Sequence, residues 1–381
     1  MYHLLYAGFD TLDVAFAGAL PIEALEELEQ AHLKAQESQE DSLLTLGPGK
    51  LDMHVKGYGS KGGYAYVMDT GPTGIIWKVK KNNDTHQWNL FASPRATLLL
   101  SHGYQGTRYK LYAELEAMGA KVTNHSINRV DFAMDFRTKG FELHQDQFVA
   151  HSHTKVSPHW GEKQDYKDRS QPSAVLRGRR LESVTIGKQP GRQIIVYDKR
   201  REATEKQKYF WFKAWGEDRH NPDLEVWRVE VRAGKKELKD KYLIRTFHDF
   251  ETAIGDVIVN SLDEVRYLDD WQSDSNVTRQ ALHPLWTAAQ EVANRNLLAL
   301  RAGLTPGQVK AYELDLARER YAAMAYSGAL GLAVSLSMDD AEIEANLPSL
   351  AAEWAEIRLH EDKHRHERAI GRMRARLRFS A

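Results

Sequence analysis

Three short segments of this chain combine side chains that can act as nucleophile, metal ligand and phosphate-binding cation. They are residues 128–136, 191–202 and 226–232. Each alternates polar and apolar residues, a period typical of a strand that buries one face and leaves the other free. The sequence therefore predicts a sheet that carries its chemical groups on one polar face.

The parity of each strand decides which of these groups can meet. In the first segment the apolar face holds Val130, Phe132, Met134 and Phe136, and the polar face holds Arg129, Asp131, Ala133 and Asp135. The polar faces of the other two segments hold Tyr197 with Lys199, and Arg228 with Glu230 and Arg232. If the three strands are neighbours, the tyrosine, the cations and the carboxylates converge on one surface.

Such a surface suits a transesterification at phosphorus, with Tyr197 as the nucleophile and a divalent cation on the phosphate oxygens. A phenol with its usual pKa of roughly 10 is a poor nucleophile at neutral pH. Lys199 and Arg228 are predicted as the supporting catalytic cations, because a nearby positive charge favours the phenolate.

Mg²⁺ and Mn²⁺ prefer carboxylate ligands, which makes Asp131, Glu230 and Asp135 the candidate metal ligands. The two aspartates are four residues apart, so on a regular strand they lie about 13 Å from each other, too far to share one ion. We therefore expect Asp131 and Glu230 to bind the cation first, with Asp135 as the third candidate.

A structural explanation of the same residues stays open at this point. Arg129 with Asp131, or Arg228 with Glu230, would then be ordinary cross-strand ion pairs, and Tyr197 a strand-forming tyrosine. Two acidic strands and a Tyr-Asp-Lys-Arg-Arg segment within one stretch of chain favour the chemical interpretation.

The order of these motifs resembles that of a known family. The chain reads Arg-x-Asp-x-Ala-x-Asp from Arg129, then Arg-x4-Tyr-Asp-Lys-x2-Glu from Arg192, then Trp-Arg-x-Glu-x-Arg from Trp227. This pattern resembles the replication initiation factor family of rolling-circle plasmid and phage initiators, which also includes some conjugative relaxases. The resemblance covers about residues 5–260 and rests on the order and spacing of the motifs together.

The resemblance implies an endonuclease that nicks one strand of an origin hairpin, holds the 5′ end as a phosphotyrosine and later rejoins it. It assigns the nucleophile to Tyr197, the metal carboxylates to Asp131 and Glu230, and the supporting cations to Lys199 and Arg228. Many related enzymes bind the metal with a His-hydrophobic-His pair, whereas this chain offers only the polar His-Ser-His of residues 151–153. The lack of a His-hydrophobic-His pair fits those related enzymes that bind the metal through carboxylates instead.

Binding of DNA has to be argued from local charge, because 52 Lys and Arg stand against 53 Asp and Glu. The candidate DNA-binding residues are Arg129, Arg177, Arg179, Arg180, Lys188, Arg192, Arg200, Arg201 and Arg232. Aromatic residues follow at 209–212, and cations beside rings are typical of a groove for single-stranded or hairpin DNA. A solvated hairpin is the alternative explanation.

The composition also limits the class and the compartment of the protein. The sequence has no cysteine, which excludes disulfides and thiolate metal sites and favours a reducing cytoplasm. Neither a signal peptide nor a membrane span is expected, because the first residues lack a basic segment and a long apolar run.

The predicted fold class is α+β, with a central antiparallel sheet and helices followed by an α-helical C-terminal region. We place an initiator-like nuclease domain at residues 1–265, with a polar surface insertion at about 137–176, and the helical region at 266–381. Residues 8–16 echo residues 128–136, which suggests two similar halves that share one sheet.

Two other motifs in the sequence carry little weight. Residues 57–62 match a dinucleotide fingerprint, but a strand rather than a helix is predicted to follow them. Residues 360–364 match the zinc protease pattern, but no further ligand follows in that highly charged helix. The sequence also lacks a Walker loop, which nicking by transesterification does not need.

The sequence thus favours a rolling-circle replication initiator whose partners are DNA and a host helicase. A conjugative relaxase would use the same chemistry with different partners. A catalytically silent DNA-binding regulator of replication is the alternative from another class. A zinc metalloprotease acting through His360 and His364 serves only as a control hypothesis.

Overall fold

The computed structural model describes residues 2–160, 180–269, 280–301, 303–361 and 363–379. The chain forms two compact units, Met1–Pro306 and Gly307–Ala381. The strands of the first unit are β1 (His3–Ala19), β2 (Ser42–Leu46), β3 (Leu51–Val55), β4 (Tyr66–Asp69), β5 (Ile75–Val79), β6 (Leu90–Pro94), β7 (Lys121–Thr138), β8 (Phe148–Val149), β9 (Val156–Trp160), β10 (Leu181–Gly187), β11 (Arg192–Asp198), β12 (Glu225–Gly234) and β13 (Arg266–Tyr267).

Among the described residues, eleven of these strands form one sheet in the order β2-β3-β4-β5-β6-β1-β7-β12-β11-β10-β9. Each neighbouring pair in it is antiparallel. Strands β8 and β13 pair separately. Together with the helices, this arrangement confirms the predicted α+β class and its central antiparallel sheet.

Six α-helices accompany the strands in the described part of the first unit. They are α1 (Ile22–Ser38), α2 (Ala96–Ala117), α3 (Lys199–Glu205), α4 (Phe210–Trp215), α5 (Phe247–Glu264) and α6 (Pro284–Ala293). Helix α2 is interrupted at Gly103, whose φ of 66° is left-handed. Helix α5 begins with a capping box, in which Thr246 and Asp249 satisfy each other's backbone amides.

The two longest strands, β1 and β7, pair along almost their whole length and form the centre of the sheet. On one side of this pair lie β6 and β5, and on the other side lie β12 and β11, in matching antiparallel order. A helix follows the inner strand of each side, α2 after β6 and α5 after β12. The strand order therefore agrees with the two similar halves that the sequence echo suggested.

The alternation of each strand separates a core face from a polar face. Phe132, Met134, Trp227 and Val229 belong to the main hydrophobic core, together with buried residues of α1, α2, α5 and α6. These helices therefore cover one face of the sheet, and each buried aromatic or aliphatic side chain contributes about 1.5–3 kcal/mol by leaving water. The opposite face of β7, β12 and β11 carries the ionisable side chains.

The structure differs from the predicted domain boundary near residue 265. Tyr267 and Trp286 lie in the same core as the sheet, so β13 and α6 belong to the first unit. The predicted polar insertion also differs in its described part, residues 137–160. Phe141 is buried in the core, and β9 adds an edge strand next to β10.

The second unit contains three helices in its described residues. They are α7 (Pro306–Ser335), α8 (Asp340–Glu361) and α9 (Lys363–Leu377). His360 and His364 of the protease-like pattern lie on different helices, which argues against a paired zinc site. Nowhere in the described ranges is a helix long and apolar enough to cross a membrane.

Candidate active site

Three adjacent strands bring together the residues that the sequence singled out. Strand β12, which carries Glu230, lies between β7, which carries the two aspartates, and β11, which carries Tyr197. In the cross-strand register Tyr197 is opposite Arg228, and Arg228 is opposite Asp135. Arg232 is opposite Asp131. The period-two pattern therefore placed these side chains on the correct face.

The closest contact of the candidate nucleophile is a carboxylate on the neighbouring strand. The Tyr197 hydroxyl donates a hydrogen bond of 2.9 Å to Oε2 of Glu230. The other oxygen of Glu230 accepts from Nε of Arg232 at 2.6 Å. A nucleophile within hydrogen-bond reach of a base that a third group orients is the usual arrangement of an activated nucleophile.

The electrostatic environment keeps Tyr197 protonated rather than favouring the phenolate. Burial raises its pKa well above the ordinary value of 10, and this outweighs the opposing effect of Arg228. The carboxylate of Glu230 raises the pKa further. Arg228 lowers the pKa of Tyr197, as expected for a nearby cation, but burial has the larger effect, so ionisation of the phenol would require a base.

Asp131 sits beside this pair and is almost completely buried. Both its oxygens accept from Arg129, at 2.9 Å from Nε and 2.5 Å from Nη2. Nε of Arg232 lies 3.7 Å from the same carboxylate, so Arg232 connects Asp131 with Glu230. Burial, with the charge of Glu230, raises the pKa of Asp131 to about 6 despite the arginines.

Arg228 and Asp135 form a fully buried ion pair. The guanidinium donates to both oxygens of Asp135, at 2.5 Å from Nε and 2.8 Å from Nη2, and neither side chain is exposed. The indole of Trp215 donates to the same carboxylate at 2.8 Å. Nη1 of Arg228 contacts Asp10 of β1 at 3.1 Å. Both charges are thus already paired within the protein.

Lys199 occupies a different element from the predicted one. It is the first residue of α3, because Asp198 caps that helix by accepting from the Arg201 amide. The lysine is nevertheless buried, with Nζ 4.7 Å from the Trp211 ring centre and 2.7 Å from Glu202. Burial and the charge of Arg228 lower its pKa to about 8.

The three candidate metal ligands do not form a ready-made cage. Within the described residues, no three His, Asp or Glu side chains are grouped closely enough to hold a metal ion. Asp135 is occupied by Arg228 and Trp215, as described above. Asp131 and Glu230 remain as an adjacent pair, and two carboxylates with water and substrate phosphate are a common donor set for Mg²⁺.

The chain matches a solved structure distantly, and it matches no family model and no curated protein. Among solved structures, the chain is similar to a rolling-circle replication initiator protein from Geobacillus stearothermophilus. The two are 13% identical, with a TM-score of 0.42, over 79% of this chain and 99% of that chain. A likeness at this level carries no conclusion about chemistry.

The predicted DNA-binding cations are largely engaged with the protein itself. Each such arginine that the structure describes has an intramolecular partner: Arg129 with Asp131, Arg180 with Asp198, Arg192 with Glu264, Arg200 with the Asn221 carbonyl, Arg201 with Glu182 and Arg232 with Glu230. Lys188 is exposed. Arg177 and Arg179 lie outside the described residues. Of the aromatic run at 209–212, Phe210, Trp211 and Phe212 are buried rather than available for stacking.

Asp10 and Trp215 were not among the predicted site residues, and Trp211 was predicted only as one of the aromatic residues at 209–212 that follow the DNA-binding cations. Asp10 contacts Arg228 from β1, and the Trp211 ring lies 4.2 Å from the Arg228 guanidinium carbon. The echo between residues 8–16 and 128–136 was the signal that could have identified Asp10. No spacing rule indicates Trp211, because α4 reaches the site only through its tertiary packing.

The raised pKa of Asp131 predicts how stability depends on pH. Its folded-state pKa of about 6 exceeds the ordinary value of 3.8, so the contribution to stability is complete below the lower value and is lost as pH rises through about 6. Between these values, wild type should lose roughly 3 kcal/mol of unfolding free energy relative to Asp131→Asn. Urea denaturation across this pH range measures the difference, and a constant difference would contradict the assignment.

Proposed function

We propose that this chain nicks and rejoins DNA by transesterification through Tyr197, as an initiator of rolling-circle replication. The observation that carries the proposal is the hydrogen bond from the Tyr197 hydroxyl to Glu230. The ordered motifs that resemble the initiator family support it independently, because they include both residues of this contact.

The reaction needs one proton transfer and one displacement. Glu230 takes the phenolic proton as Tyr197 Oη attacks the phosphorus, and a bond forms between them. The bond from phosphorus to the 3′ oxygen breaks, and this oxygen leaves as a hydroxyl after gaining a proton from Lys199. The 5′ phosphate stays on Tyr197, and attack by a 3′ hydroxyl reverses the step. The phosphotyrosine conserves the energy of the phosphodiester bond, so rejoining needs no nucleotide hydrolysis. The lack of a Walker loop in the sequence agrees with this.

The surrounding cations have separate tasks in this proposal. Arg232 orients Glu230 toward the tyrosine, and Arg129 holds Asp131 beside it. Arg228 is fully buried and is therefore not available to phosphate, and it instead holds the three central strands in register through Asp135 and Asp10. Lys199, with a pKa of about 8, can lend a proton near the tyrosine ring.

A divalent cation, Mg²⁺ or Mn²⁺, belongs to the proposal as a cofactor. Asp131 and Glu230 would hold it, and when bound it would supply positive charge to the phosphate oxygens. Its binding requires the ionised form of Asp131, because a protonated carboxyl is a poor ligand. Asp135 is set aside as a ligand because it is fully buried in its ion pair.

Metal binding should be visible without any catalysis. At about 100 times its Kd, a cation that binds only the folded state adds about 2.7 kcal/mol of stability. We expect Mn²⁺ at pH 7.5 to raise the Tm of wild type and to leave that of Asp131→Asn/Glu230→Gln unchanged. Glu27→Gln on the exposed side of α1 is the control variant, and an equal rise in all three proteins would exclude the assigned ligands.

The test of function is covalent capture of DNA. The protein is incubated with end-labelled single-stranded DNA from the neighbourhood of its own gene, with Mn²⁺ or EDTA, and adducts are separated on denaturing gels. Wild type and Tyr197→Phe are compared. A metal-dependent adduct on the 5′ end that requires Tyr197 supports the proposal, and tight binding without cleavage favours the silent regulator. A replication initiator and a conjugative relaxase would differ in their protein partners, a host helicase or a coupling protein.

A further inference from the structure

The polar face of the first half of the sheet carries a group of cations and rings that the active site does not use. Strand β5 presents Lys78 on this face, and β6 presents Phe91. Their neighbours along the strands, Trp77, Val79 and Leu90, point into the core. Lys78 and Phe91 are directly opposite each other in the register, and both are partly exposed.

These residues form a small cluster with Tyr64 and Lys80. Nζ of Lys78 lies 4.9 Å from the centre of the Phe91 ring, and Nζ of Lys80 lies 5.3 Å from that of Tyr64. The two ring centres are 5.9 Å apart. We call these four residues the β5–β6 platform. Neither of its lysines forms an ion pair within the part of the chain that the structure describes.

The glycine-rich loop at residues 57–63 positions one ring of the platform. Ser60 pairs with Tyr64 in an isolated bridge, which folds the loop back on itself. A Cβ at Gly59 would lie 2.7 Å from the Tyr64 carbonyl oxygen, so this close approach requires glycine. The glycines that resemble a dinucleotide fingerprint therefore build a tight turn, and β4 rather than a helix follows them.

Two carboxylates on this face have other partners. Asp13 accepts from the Ser93 hydroxyl at 2.7 Å; burial raises its pKa, and the charge of Lys78 partly opposes this shift. Asp69 forms an ion pair with Arg95. Among the described residues, the two lysines are therefore not held in ion pairs, in contrast to the arginines around the active site.

The platform is continuous with the candidate active site across the central strands. Ser93 on β6 contacts Asp13 on β1, Asp13 is opposite Arg129 on β7, and Arg129 binds Asp131. Strands β6 and β12 are separated only by β1 and β7, a distance of about 15 Å at ordinary strand spacing. A bound strand can thus contact both surfaces on the same face of the sheet.

The two halves of the sheet carry different side chains on this face. Strands β6 and β5 carry Phe91 and Lys78, whereas β12 and β11 carry the carboxylate Glu230 and the proposed nucleophile Tyr197. The first half therefore offers rings and cations without a nucleophile or its base. Such a surface can bind a strand but cannot cleave it.

We propose that the β5–β6 platform binds the single-stranded DNA that flanks the cleaved phosphodiester. Bases would stack on Phe91 and Tyr64, and Lys78 and Lys80 would contact phosphates. Stacking tolerates any base, so the platform would hold the strand without reading its sequence. This inference rests on the proposed function for its placement of the DNA, but its test does not depend on cleavage.

The test measures binding of a fluorescently labelled oligothymidine of about 16 nucleotides. This is the upper end of the site size of an OB fold, a domain that binds single strands by stacking. Fluorescence anisotropy is recorded at several salt concentrations with the full chain carrying Tyr197→Phe, so that nothing is cleaved. Three further changes are compared in that background: Lys78→Gln/Lys80→Gln, Phe91→Leu, and the control Lys34→Gln. Lys34 is exposed on α1, which covers the other face of the sheet.

The double variant Lys78→Gln/Lys80→Gln should have a slope of log Kd against log salt that is lower by about 1.4. Each phosphate contact that is lost on a single strand accounts for about 0.7 of this slope. Phe91→Leu should weaken binding roughly tenfold while preserving the apolar volume. Lys34→Gln should bind like its parent. Equal affinity and slope in all variants would overturn the inference, and so would failure of the parent to bind. Reduced binding in a protein whose wild type forms no adduct would retain the platform and reject nicking.

Discussion

Tyr197→Phe is expected to abolish both DNA nicking and the covalent adduct, by about 10⁴-fold or more, while DNA binding persists. The change removes one oxygen atom, and that atom is the proposed nucleophile. The ring itself lies among Lys199, Arg228 and the strands, so its packing is retained. Rates of adduct formation on labelled single-stranded DNA measure the loss, and anisotropy measures binding on the same DNA.

Two comparison variants distinguish a lost nucleophile from a damaged protein. Tyr209→Phe removes a hydroxyl from a partly exposed tyrosine that stacks on Arg219 and should leave nicking unchanged. Glu230→Gln should reduce the rate by about 10²–10⁴-fold through loss of the general base, and further if the variant also loses the cation that Glu230 would help to hold. An adduct that survives in Tyr197→Phe would place the nucleophile on another residue.

The parity of the strands was the part of the site that the sequence predicted best. A period of two requires Asp131 and Asp135 to share a face when Phe132 and Met134 are buried, whatever the neighbouring strands are. The convergence of Tyr197 with Glu230 needed only the further assumption that β11 and β12 are neighbours. The structure satisfies that assumption through an ordinary antiparallel pair.

The partners of individual charges could not be predicted, because they depend on register and tertiary packing. Arg228 was expected to stabilise a phenolate or a phosphate, yet the register places it directly opposite Asp135. Lys199 was placed on a strand, but the Asp198 cap starts a helix there. The same limit affects the domain boundary, since only packing reveals that Trp286 completes the core of the sheet.

The nearly equal numbers of acidic and basic residues in the chain do not show how charge is distributed over the sheet. Around Tyr197 the carboxylates Asp131, Asp135 and Glu230 each pair with an arginine, so most of the charge in the site is compensated. Across β1 the balance changes, and Lys78 and Lys80 face rings instead of acids. The distribution of charge over one face of the sheet, rather than the total, is therefore what favours a nucleic-acid partner.

Arg228→Met is expected to reduce the free energy of unfolding by about 3–5 kcal/mol, because it leaves Asp135 charged and buried without a counter-ion. The Trp215 indole would be its one remaining described donor. Urea denaturation followed by tryptophan fluorescence measures the change, since Trp211 and Trp215 lie against the pair.

The double variant Arg228→Met/Asp135→Asn separates the cost of an unpaired charge from the loss of packing. Asparagine keeps an acceptor for the Trp215 indole but removes the charge that Arg228 compensates. We therefore expect the double variant to be more stable than Arg228→Met alone, with a coupling energy between the two sites of about 1–3 kcal/mol. Additive losses would mean that Arg228 acts through its contacts with Trp211 and Asp10 rather than through Asp135. In that case the ion pair would not be what holds β7 against β12.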